Sequence, residues 1–206
     1  MLQPLTDLVA RYLSDFFPDG PWVLTAIHTD RSGTTTRTFH PDAVAKMTAW
    51  VAEMNRDHHN IYYHVGIPKR DLNRKAERAD IDKVLWLHVD IDPRNGIDPE
   101  ICRQQAISAL ENGKDGIPAP TVIVDSGGGI QAFWRLNDYI EIGGDIAKAE
   151  KAKAHNQRLE VVFHSCVDLV MFRSLRLVEK SPYAHGRNRQ NTHASSPVLR
   201  TAQRES

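Results

Sequence analysis

The amino-acid sequence predicts a mixed α/β (α+β) fold, a β-α-β-β-α-β core over residues 80–177 beside a small α/β layer over residues 1–79. Three observations lead there. Apolar residues recur at helical spacing in four separate segments, short alternating or apolar runs lie between them, and the last six elements come in the order of a split, ferredoxin-like arrangement. A chain of 206 residues accommodates one such domain and a small companion layer.

Each element has a local reason. Leu5, Leu8, Val9, Tyr12, Leu13, Phe16 and Phe17 form one helical face, which Pro18-Asp-Gly-Pro21 stops. Trp22 to His28 reads as a strand, and Arg31-Ser-Gly33 turns it into a second strand at Thr34–Phe39. Pro41 opens a helix whose Val44, Met47, Trp50, Val51 and Met54 share a side. Asn60–Ile67 is a further strand, and the basic, polar stretch from Pro68 to Asp82 is a loop or short solvated helix. The core then follows. Val84–Asp92 is a strand, Asp98-Pro99 starts a helix carrying Ile101, Ile107 and Leu110, and Thr121–Asp125 and Ile130–Leu136 flank a glycine turn. A helix over about 145–160 and a last strand at Ser174–Val178 complete an RRM-like (RNA-recognition-motif-like) order. From residue 178 to 206 the periodic apolar pattern ends, so this tail is expected to be disordered or altered.

Composition removes several classes of function. No apolar run reaches the ~20 residues of a membrane span, and the N-terminus lacks the basic and apolar regions of a secretory signal. Cys102 and Cys166 are too few for a disulfide framework, which places the chain in a reducing cytoplasm. Lys plus Arg equals Asp plus Glu at 26 each, but the stretch from Arg173 on holds 7 basic and 2 acidic residues. A uniformly basic nucleic-acid coat is excluded, and a local basic surface is not.

Leu85-Trp-Leu-His-Val-Asp-Ile-Asp-Pro93 is the most informative segment. Strand alternation sends Leu85, Leu87, Val89 and Ile91 toward a helix layer, and Trp86, His88, Asp90 and Asp92 to the other, exposed face. Two carboxylates at i and i+2 lie about 6.5–7 Å apart, a spacing that with a third carboxylate brackets two Mg²⁺ or Mn²⁺ ions. Asp-x-Asp-Pro also serves simply to end a strand, with Asp92 making an Asx-turn.

In Asp125-Ser-Gly-Gly-Gly-Ile-Gln-Ala-Phe-Trp-Arg-Leu136, Gly127, Gly128 and Gly129 let backbone N–H groups converge on an anion, and Ser126 adds a hydroxyl. Gln131 and Arg135 share one strand face and can reach a triphosphate; a flexible hairpin with a surface Gln and Arg is the plainer alternative. Asp168 is a candidate third metal ligand, and Arg173 and Arg176 candidate phosphate binders, against a turn cap and two solvated arginines. Lys69, Arg70, Arg74 and Lys75 are candidates for template or primer phosphates, against a solvated face.

Taken together, Asn60-Ile-Tyr-Tyr63, Asp80-Ile81, Leu87-His-Val-Asp-Ile-Asp-Pro93 and Ser126-Gly-Gly-Gly-Ile-Gln-Ala-Phe-Trp-Arg-Leu136 resemble the archaeo-eukaryotic primase superfamily, most of all the RepB-like primase-polymerases of plasmids and prophages. The resemblance covers about residues 20–177. It implies a DNA primase/polymerase that transfers nucleotides from nucleoside triphosphates to a strand copied from a DNA template during replication of a mobile element. It further implies two divalent ions on Asp90, Asp92 and Asp168, and a triphosphate on Ser126, the glycines and Gln131, which stands where the family carries His. A replicative helicase is an implied partner and a membrane is not. Val178-Glu-Lys-Ser-Pro182 departs from the family's closing motif. The competing expectation is a nucleic-acid-binding module of the same fold, catalytically weak or inactive, that recruits replication partners.

Overall fold

The computed structural model of the chain describes residues 6–93, 96–126, 129–163, 175–176 and 199–201. The chain forms two compact units. One takes the residues up to Lys83, the segment Ile142–Asp145 and the strand at 175–176; the other takes Val84–Glu141, the helix from Ile146 and the strand at 199–201.

In the first unit, helix α1 (Thr6–Phe16) buries Val9 and Leu13. Its end is pinned by the Trp22 indole, which donates to Phe17 O at 2.8 Å. Strands β1 (Trp22–His28) and β2 (Thr34–Phe39) form the expected antiparallel hairpin. A 3-10 turn at Pro41–Ala43 leads into α2 (Val44–Arg56), which buries Met47, Trp50 and Val51. Strand β3 (His59–Tyr63) pairs with the free side of β1, setting Leu24 against Tyr63 and Ala26 against Ile61. Directly paired residues share a face, and these four are almost wholly buried. Tyr63 meets Tyr12 and Phe17 edge-on, so this face lies against the end of α1. The Tyr12 and Tyr63 hydroxyls are hydrogen-bonded, and burial pushes the Tyr12 phenol up. On the opposite face the buried Thr25 and Thr36 hydroxyls satisfy each other at 2.9 Å, which removes the desolvation cost of leaving either alone.

The strand expected over Asn60–Ile67 is broken. β3 ends at Tyr63, and a separate short strand β4 (Ile67–Pro68) follows. The reason is His64, whose ring Nδ1 lies 2.9 Å from Gly66 O and 3.0 Å from Gly66 N and so bends the chain. A Cβ at Gly66 would already press on Ile81 Cγ2 at 3.2 Å. β4 pairs antiparallel with the first residues of β5 (Ile81–Ile91).

In the second unit the strand order is β5, β7 (Ile130–Glu141), β6 (Val122–Asp125), β9 (Leu199–Thr201). β7 thus inserts between β5 and β6, whose connection runs through α3 (Pro99–Asn112), as a split β-α-β unit requires. Asp98 caps α3 by accepting from Glu100 N and Ile101 N, with Pro99 at the first turn. Val89, Ile91, Ile130, Ala132 and Trp134 form one sheet face with Ala106 and Leu110 of α3 and Leu159 and Phe163 of α4 (Ile146–Phe163). Each large side chain buried there contributes about 1.5–3 kcal/mol. A one-residue slip of β5 would turn Val89 and Ile91 outward, so its register is strongly held.

One expectation needs correcting. The fourth strand of an RRM-like core should lie beside β5, yet β8 (Leu175–Arg176) pairs with Tyr63 and Tyr62 of β3 in the first unit. At His88 the edge of β5 is met by a side chain: Asn156 Oδ1 of α4 accepts the His88 backbone N–H at 3.2 Å. From residue 178 on, only Leu199–Thr201 is described, pairing antiparallel with β6. Among the described residues no helix is long and apolar enough to cross a membrane.

Candidate active site

Two contacts set β7 against β5. The rings of His88 and Phe133 stack with centroids 6.1 Å apart. Four residues further along β5 and four residues back along β7, the backbone of Gly129 lies on Asp92: a Cβ there would stand 2.7 Å from Ile91 O and 3.0 Å from Asp92 Oδ1. An antiparallel pair satisfies both contacts, and its midpoint sets Asp90 opposite Gln131 on the face away from the helices. Cβ atoms of such a pair lie about 4.5–5.5 Å apart. Asp90, Asp92, Gln131 and the Gly129 end of the turn are therefore one cluster.

The turn is tied by Ser126. Its hydroxyl donates to Gly129 O at 2.9 Å and receives Gly129 N at 3.1 Å, while Ser126 N donates to Gly129 O at 3.0 Å. Only glycine fits position 129, because the obstructing atom is backbone. Gly127 and Gly128 lie outside the described residues, as do Asp168 and Arg173. Arg176 is placed only as a strand residue opposite Tyr62. Arg135 is exposed on the same face as Gln131, about 13 Å along the strand by the rise per residue. Its N–H is taken by Thr121 Oγ1.

The carboxylate face is more closed than alternation implied. Asp90 and Asp92 are half-buried, while Gln131 is 4% exposed, Phe133 2% and Trp86 3%. The sequence pattern treated this face as open to solvent; two bulky aromatics on it, Trp86 and Phe133, gain too much from burial to stay there uncovered.

The donors on this face suit a hard divalent cation, since Asp90 and Asp92 offer only carboxylate oxygens. The turn backbone resting on Asp92 holds one of the two in place. Among the described residues no group of three His, Cys, Asp or Glu side chains has metal-binding geometry. Asp125 is no substitute for the third: it pairs with Ile130 and so shares the helix-side face, where Arg103 Nε approaches it at 3.2 Å. Sequence reading missed Asn156, whose amide contacts both the backbone N–H and the ring Nδ1 of His88. A mid-helix Asn carries no sequence signal for that role.

The basic run lies in the first unit. Arg74 grips the buried Asp80 in a two-pronged pair, at 2.7 and 3.0 Å, and also donates to Lys75 O. The Glu77 N–H, donating at 2.9 Å, and Arg74 hold the Asp80 carboxyl below the usual carboxylate range, and Asp80 raises Arg74. The Arg74 fork is thus occupied within the chain. Lys69 N donates to Asp80 O, and its side chain lies over Gly144, where a Cβ would collide with it. Arg70 and Lys75 are exposed.

No family model matches the sequence, and no curated protein matches it. A solved structure does: the AEP (archaeo-eukaryotic primase) domain of the primase-polymerase, PrimPol, of cyanophage S-2L, at 16% identity and a TM-score of 0.56, over 79% of this chain and 75% of that one. The likeness shows the fold, which resembles that of an archaeo-eukaryotic primase-polymerase domain.

Proposed function

We propose that this chain is a metal-dependent nucleotidyltransferase, a RepB-like DNA primase/polymerase that extends a DNA-templated strand from nucleoside triphosphates in the replication of a plasmid, prophage or related element. The observation that carries the reading is the juxtaposition of Asp90 with Gln131 and of Asp92 with Gly129 on one sheet face. The primase-polymerase fold of the cyanophage domain supports it.

In this reading Asp90 and Asp92, with Asp168, hold two Mg²⁺ or Mn²⁺ ions, which when bound supply activation of the attacking 3′-hydroxyl and charge neutralisation at the leaving pyrophosphate. The carboxylates fix where that charge sits. The amides of Gly127 and Gly128 cradle phosphate oxygens, Ser126 and Gly129 hold the turn in shape through their mutual hydrogen bonds, and the Gln131 amide donates to one of those oxygens. Arg135, Arg173 and Arg176 offer forks to the remaining oxygens. The burial of Phe133 and Gln131 excludes water from beneath the triphosphate, which strengthens each of these contacts. Lys69, Arg70 and Lys75 meet the DNA backbone, and a replicative helicase is the expected partner in the cytoplasm.

A second reading, a binding module without catalysis, is favoured by one observation: the Ser126 hydroxyl is spent on its own turn. One assay separates the two. Mn²⁺-dependent incorporation of a labelled nucleotide on a primed DNA template is expected from the wild type and from no Asp90→Asn variant. DNA binding without incorporation, under conditions where the chain is folded, would give the second reading.

A further inference from the structure

Away from the carboxylate face, the first unit carries a cleft of about 510 Å³ lined by Arg37, Thr38, Arg70, Asp71, Leu72, Asn73 and Arg74. Its walls come from β2 and from the loop that follows β4, and the loop is bolted down. Thr38 Oγ1 accepts Leu72 N at 2.8 Å and donates to Leu72 O at 3.0 Å, so one side chain completes a backbone-like pairing along β2. Lys69 N donates to Asp80 O, Arg74 forks onto Asp80, and Glu77 and Asp80 cap each other reciprocally. The acid in the lining, Asp71, is drawn to His40 at 2.9 Å.

With Arg74 occupied by Asp80, two guanidinium groups remain. Arg37 and Arg70 are exposed and form no ion pair with another described residue. Arg37 on β2 and Arg70 on the loop fastened beside it bring two guanidinium groups and the Asn73 amide to one cleft, and each arginine can fork the oxygens of a phosphate. None of the lining residues is aromatic, so the cleft offers a base nothing to stack on. We infer that this cleft is a docking site for the sugar-phosphate backbone of single-stranded DNA, with Arg37 and Arg70 as its phosphate contacts. The choice of DNA as the polymer rests on the proposed function; the anion chemistry does not.

The test is binding of a fluorescent single-stranded oligonucleotide by anisotropy, in EDTA and without nucleoside triphosphate, over a salt titration. Arg37→Ala and Arg70→Ala should each weaken binding equally across sequences and flatten the slope of log K against log salt by about 0.7, the value per phosphate contact on a single strand. Arg56→Ala, an exposed arginine outside the cleft, should leave both unchanged. Arg37→Gln and Arg70→Gln, which keep most of the aliphatic stem, should reproduce the loss with a melting temperature equal to that of the wild type. Unchanged affinity and slope in folded Arg37 and Arg70 variants would overturn the proposal. So would displacement of the oligonucleotide by inorganic phosphate at equal phosphate concentration, which would mark a free-anion site. Because the assay contains neither metal nor triphosphate, a shifted slope with no incorporation refutes the polymerase alone, and incorporation with an unshifted slope refutes the cleft alone.

Discussion

Asp80 and Asp90 stand ten residues apart along the chain and sit in different surroundings. Asp80 is buried, takes the Glu77 N–H and both prongs of Arg74, and its charge is balanced within the first unit. Asp90, in the second, is half-buried on a strand face opposite a neutral amide, with Asp92 two residues on against the bare backbone of Gly129. An acid that folds together with its own arginine is a structural member, because its charge is compensated before any ligand arrives. Asp90 and Asp92 instead bring two carboxylates to one sheet face beside an amide and a glycine turn, a set of oxygen donors that a hard cation takes. The run of basic residues from Lys69 to Lys75 divides in the same way: Arg74 belongs to Asp80, while Arg70 faces the cleft with Arg37.

The largest expected effect tests that contrast directly. Asp90→Asn should lower nucleotide incorporation by at least about a hundredfold, since charge stabilisation by a held ion is worth several kcal/mol, and should leave the thermal midpoint equal to or above that of the wild type. A primer-extension time course beside a melt checks both. Equal activity in the two proteins would place the metal elsewhere.

Gly129→Ala should come next. Its new methyl would meet Ile91 O, a backbone atom that cannot swing aside, so a loss of about 1–3 kcal/mol is expected in urea unfolding. Incorporation should fall with it, because Asp92 would be pushed from its place. A neutral outcome would show that the turn is slack.

Asp80 should show itself through pH. Its carboxyl titrates below its unfolded value, so its contribution to stability is complete above about pH 4–5 and drains as the pH falls through the lowered value. Asp80→Asn should therefore be less stable than the wild type at pH 7, with the gap narrowing by pH 3, and should extend primers normally under folded conditions. Urea titrations at the two pH values decide it; a constant gap would deny the charge its role.

The smallest effect is expected from Gln131→His. Both side chains donate a hydrogen bond, and a protonated imidazole adds a charge-assisted one to phosphate, so triphosphate affinity should rise a few-fold. A fluorescence titration with a nucleoside triphosphate measures it. Unchanged affinity with full activity would remove Gln131 from the site and leave Asp90 facing a purely structural amide.

What the sequence by itself determined were the features set by neighbours along the chain. Alternation on Leu87-His-Val-Asp-Ile assigned Val89 and Ile91 to the helix layer and both aspartates to the other face, because successive side chains on a strand must diverge. Asp98-Pro99 announced the start of α3, because a cap and a proline act within one turn. Tertiary structure alone decided the rest. His64 broke a run that reads as one strand, by bonding to Gly66. Arg74 looked like its basic neighbours until Asp80 took its fork. Leu175–Arg176 reads as a strand from either side, and where it docks depended on which edge was open: Asn156 meets the β5 edge at His88, while β3 offered Tyr62 and Tyr63. Strand propensity is local, but the choice of partner is made by the unpaired backbone groups that remain when everything else has packed.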